Sequence, residues 1–156
     1  MSRLGAAVIA IMGGILCASF PSYAGTVSGT VSHPRGSTNV VVSIEVPGAP
    51  VVVPAQAPVV DQRDISFYPH VLAIAVGTTV EFHNSDPINH NVFSPDVEGY
   101  NLGTWGRGVT RTRTFGQVGV YTQLCTLHPE MESFIVVLDT PYFAVSDSVG
   151  HFVVSG

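Results

Sequence analysis

After residue 25, short apolar runs rich in valine and threonine alternate with glycine, proline and asparagine, and no stretch keeps a helical period. Short runs of β-branched and aromatic residues, bounded by turn residues at regular intervals, are the pattern of a sandwich or small barrel. The pattern predicts strands over 26–32, 40–46, 65–68, 71–76, 79–83, 90–93, 111–115, 118–125 and 133–138, with weaker ones over 142–145 and 151–154. Thr79 to His83 alternates, so Val80 and Phe82 should face the core while Glu81 and His83 face outward. His83 is accordingly read as a solvent-facing side chain and not as a ligand. Pro47, Pro50, Pro54 and Pro58 fall within one short stretch, which reads as an extended connector because proline cannot join a central ladder.

The first residues read differently. Arg3 precedes an apolar run from Leu4 to Phe20 that ends at Pro21-Ser22-Tyr23-Ala24, the layout of a secretory signal peptide cleaved after Ala24. Gly5, Gly13 and Gly14 interrupt the run, and it is short for a membrane span, so no stable membrane insertion is expected once it is removed. Cys17 follows Leu16 where a lipoprotein acceptor would follow a small residue, so it is read as discarded with the leader. The expected location is the periplasm, or secretion more generally. The expected organisation is signal peptide 1–24, a hairpin-like N-terminal extension with its proline-rich connector over 25–60, a main domain over 61–140, and a C-terminal strand extension over 141–156.

Cleavage leaves 132 of the 156 residues, enough for one domain with a sizeable core. Five arginines then face eleven carboxylates with no lysine, a formal charge of −6 that argues against a nucleic-acid partner. The processed chain also keeps a single cysteine, Cys125, and carries it into an oxidising compartment without an intramolecular partner. Such a thiol is a metal ligand, a nucleophile, half of an intermolecular disulfide, or a small buried hydrophobe.

Its neighbours favour the first. Cys125-Thr126-Leu127-His128-Pro129-Glu130-Met131 lets one loop present a thiolate, an imidazole and a thioether around a point, and His90, within Asn89-His90-Asn91, offers a second imidazole from a neighbouring strand. Two imidazoles and a thiolate with a weak axial thioether form the donor set of electron-transfer copper. Zinc does not select methionine, and c-type haem needs a second cysteine before the histidine. With four donors no position is left open for a substrate, so the expected role is carriage and not catalysis.

From about Ile65 to Leu138 the chain resembles the cupredoxins, and its Cys-x-x-His-x-x-Met loop is similar to that of amicyanin and related plastocyanin-like members. Phe82-His83-Asn84, Asp86, His90-Asn91-Val92-Phe93-Ser94 and Gly119-Val120-Tyr121 leading into the cysteine loop follow the family's order. The resemblance implies an all-β Greek-key sandwich, here with extra N-terminal strands, and one type 1 copper held by His90, Cys125, His128 and Met131. It also implies that Asn91 and Thr126 tie the two ligand segments together. Plastocyanins carry a tyrosine before the copper cysteine, whereas this chain has Leu124. Exit through the edge of His128, toward a redox donor and acceptor docking around it, is therefore expected over a remote tyrosine route.

Three classes of function stand at this stage: a carrier of single electrons, a copper delivery or storage protein, and an enzyme with Cys125 as nucleophile and a histidine base. The last leaves Met131 without a role. Arg111 and Arg113 share a strand face and read as solubilising charges, with a docking patch for an acidic partner as the minority reading.

Overall fold

The computed structural model describes residues 25–32 and 38–156; the expected signal peptide, 1–24, lies outside the described residues. Thirteen strands and no helix are found among these residues. They are β1 (Thr26–Thr30), β2 (Val41–Ser43), β3 (Val59–Arg63), β4 (Ser66–Tyr68), β5 (Val71–Ala75), β6 (Thr79–Asn84), β7 (His90–Ser94), β8 (Tyr100–Trp105), β9 (Arg111–Thr114), β10 (Gly119–Leu124), β11 (Glu132–Leu138), β12 (Phe143–Val145) and β13 (His151–Ser155).

Two mixed sheets form the body. One has the order β5-β11-β10-β7-β8 and the other β4-β3-β6-β9. Their inner faces meet in one core, with Val60, Phe67, Val80 and Phe82 from the smaller sheet against Ile74, Val92, Tyr121, Ile135 and Val137 from the larger. The fold is an all-β sandwich, as the alternation requires. Strand β6 shows why: Val80 and Phe82 are both 0% exposed, while His83 lies half-buried and its ring nitrogen meets Glu81 Oε2 at 2.9 Å on the outer face. Burying a phenylalanine and a valine in this way contributes about 2 kcal/mol each.

Two strands escape the sequence pattern. β3 runs parallel to β6 and begins at Val59, before the expected domain boundary at 61. Its Gln62 is fully buried because its side-chain amide donates to the His83 carbonyl at 2.9 Å, so a polar residue fills a core position. β8 sits at the edge of the larger sheet with most of its residues in contact with solvent, so burial leaves little apolar pattern on it.

The flanks also differ from expectation. The N-terminal piece is not a hairpin: β1 pairs with β13 and β2 with β12, so each N-terminal strand finds its partner at the C-terminal end. Residues 47–58 form no strand, in keeping with their four prolines.

A candidate metal centre at one end of the sandwich

Strands β7 and β10 are antiparallel neighbours, and Leu124 pairs with Phe93. That pairing puts the start of β7, His90, and the residue after β10, Cys125, at the same end of the sheet. Loop 125–131 then turns back into β11, whose first residue Glu132 pairs with Leu124. The turn is closed by the Met131 amide donating to the His128 carbonyl at 3.0 Å. Segments separated by more than thirty residues are thus brought together by sheet pairing.

The donors converge. His90 Nδ1 lies 3.1 Å from His128 Nδ1, Cys125 Sγ lies 3.8 Å from His128 Nδ1, and the three donor atoms are all within 4.8 Å of one another. A trigonal ion with bonds of about 2.0 Å to nitrogen and about 2.3 Å to sulfur would set its donors about 3.5–3.7 Å apart. The group therefore fits a single metal ion. His90 is 0% and Cys125 3% exposed, so water reaches these atoms poorly. His128 is half-buried, beside exposed Leu127 and Pro129. Met131 is 1% exposed and packs in the core cluster that also contains Cys125 and Trp105.

Asn91 ties the segments. Its Oδ1 accepts from the Thr126 hydroxyl at 3.2 Å and from the Thr126 amide at 3.4 Å. Its Nδ2 donates to Asn101 Oδ1 and to the Gly103 carbonyl, both at 2.8 Å. The Asn91 amide points at Cys125 Sγ at 3.4 Å, a contact that helps fix the position of the sulfur. Pairing of β7 with β8 slips between Asn91 and Phe93. Such a bulge re-aims the side chains around it.

The residue whose part the sequence did not disclose is Asp86. Its Oδ2 lies 2.7 Å from His90 Nε2, and its two oxygens also accept the amides of Asp64 at 2.7 Å and Ile65 at 3.0 Å. Burial by itself would raise this carboxyl; the Ile65 amide, the His90 ring and the Asp64 amide together outweigh it and hold the group below the ordinary aspartate value. The i, i+4 spacing of Asp86 and His90 was visible, but in a turn such spacing carries no fixed geometry. Arg113, in turn, is no free docking charge: its guanidinium lies 4.4 Å over the Tyr100 ring and reaches Glu98 at 3.5 Å.

No family model and no curated protein matches the sequence. Solved structures do. A reduced, singly substituted amicyanin is 29% identical, covering 55% of this chain and 86% of its own, with a TM-score of 0.51. A second amicyanin mutant, in its reduced Cu(I) form, is 28% identical over the same shares with a TM-score of 0.51. The protein has a cupredoxin fold. A copper-containing nitrite reductase from Thermus scotoductus is 34% identical over 63% of this chain, with a TM-score of 0.52; the match spans only 25% of that enzyme's length. The two amicyanin matches each cover 55% of this chain.

Proposed function

We propose that the protein is an exported blue-copper carrier of single electrons, with His90 Nδ1, Cys125 Sγ, His128 Nδ1 and the Met131 thioether as ligands. The observation that carries this reading is the convergence of two imidazole nitrogens and one thiol sulfur, from two separate segments, in a largely dry pocket. The donor chemistry selects the metal: soft sulfur suits Cu(I) and imidazole suits Cu(II), so copper bound there would gain and lose one electron with little rearrangement.

The protein's own groups supply the rest. Strand β7 holds His90 rigidly, the Asn91–Thr126 hydrogen bonds fix loop 125–131 to it, and the Asn91 amide steadies the cysteine sulfur. His128, half-buried between exposed Leu127 and Pro129, offers the edge through which an electron passes to a docked redox partner. A delivery or storage role would call for easy metal exchange, and the burial of His90 and Cys125 opposes it. The signal-like leader supports work in the periplasm.

Voltammetry of the copper-loaded protein tests the carrier role. A reversible one-electron wave is expected; copper that binds and exchanges without such a wave would transfer the protein to the storage class.

A further inference from the structure

The β3–β4 hairpin turns on Asp64 and Ile65, and both have φ of 53°. A two-residue loop with left-handed φ at both positions is a common hairpin solution, but it is ordinarily made with asparagine, aspartate and glycine. A β-branched isoleucine there is strained. Strain of this kind persists where surrounding structure holds it, and here both turn amides aim at the Asp86 carboxylate, at 2.7 and 3.0 Å. The backbone of Asp86 is fixed as well, its amide donating to Asn84 Oδ1 at 2.9 Å and to the Gln62 carbonyl at 3.2 Å. The carboxylate is thus placed from two sides before it reaches His90 Nε2 at 2.7 Å.

Resting on the copper reading above, we infer that Asp86 is a positioning residue of the metal centre, fixing the tautomer of His90 and biasing the bound copper toward its oxidised form. A carboxylate accepts only, so Nε2 of the His90 ring must carry the proton. In the neutral ring, Nδ1 then keeps its lone pair, and Nδ1 is the atom that faces His128 and Cys125. The same carboxylate sets a negative charge one ring away from the metal, in a site where His90 is fully buried and screening is weak. A fixed anion stabilises the dication more than the monocation. Asp86 therefore acts through His90 and touches no metal itself.

Two measurements on the full processed chain test this. In the copper-free protein, nitrogen chemical shifts of the His90 ring are expected to report a protonated Nε2 and an unprotonated Nδ1; the opposite tautomer would overturn the inference. This result stands apart from the identity of the metal, so a failure of the copper reading, seen as a wild-type protein with no blue colour, remains distinguishable from it. Second, Asp86→Asn keeps an acceptor for His90 but removes the charge. Relative to Cu(I), its affinity for Cu(II), measured against chelators of known strength, is expected to fall about tenfold, equivalent to a rise of about 59 mV in potential. An unchanged affinity ratio in a folded, copper-binding Asp86→Asn protein would overturn the charge bias.

Discussion

Replacing Asn91 with alanine removes the tie between the two ligand segments while leaving every proposed ligand in place. Asn91 is 2% exposed and makes four side-chain hydrogen bonds, two at 2.8 Å to Asn101 and Gly103 and two longer ones at 3.2 and 3.4 Å to Thr126. Asn101, Gly103 and Thr126 are all exposed, so their freed groups can turn to water. The loss is then the net value of the bonds and not the larger penalty of orphaned buried groups: about 1 kcal/mol for each short bond and about half that for each long one, near 3 kcal/mol altogether. Urea unfolding of the copper-free Asn91→Ala protein, compared with wild type at unchanged slope, measures this directly. Copper should remain bound with affinity lowered about 10- to 100-fold. A stability change below about 0.5 kcal/mol, or outright loss of the metal, would refute the view that Asn91 positions the loop without being a ligand.

Other outcomes follow from single contacts. Met131→Leu should keep copper and raise the potential, since losing a weak axial donor disfavours Cu(II); loss of binding would show the axial assignment to be wrong. Gly119 has φ of 149°, and a Cβ there would sit 2.8 Å from Val97 Cγ2, so Gly119→Ala should cost about 2 kcal/mol in thermal or urea unfolding. Asp96 accepts the Thr122 amide at 2.8 Å, which holds its carboxyl below the ordinary value. A depressed folded-state value gives stability that is present above the unfolded value and lost as pH falls through the folded one. The advantage of wild type over Asp96→Asn should therefore be full near neutrality and shrink below about pH 4; a gap independent of pH would contradict the assignment.

The sandwich was legible wherever one face is dry and the other wet, as in β6 with its buried Val80 and Phe82. It was illegible where that contrast is missing. β3 buries Gln62, whose polarity reads as surface, and β8 is largely solvated at a sheet edge. The β3–β4 turn was hidden because Asp64 and Ile65 adopt left-handed φ without glycine. His90, Cys125 and His128 could be named from the chain because three of the four proposed ligands lie within one short loop and a histidine-asparagine pair marks the fourth. Asp86 could not, since its contact with His90 depends on two amides supplied by a hairpin more than twenty residues earlier. The pairing of β1 with β13 and β2 with β12 was equally beyond local pattern, because short strands choose partners by tertiary placement.

Blue-copper carriage requires that the Cys125 sulfur and the His90 and His128 nitrogens share one copper ion. The visible spectrum of the protein titrated with Cu(II), alongside that of Cys125→Ser, decides this. An intense band near about 600 nm from sulfur-to-copper charge transfer is expected, saturating at one copper per chain and absent from the serine variant. A colourless copper complex, or a band that survives Cys125→Ser, would contradict it.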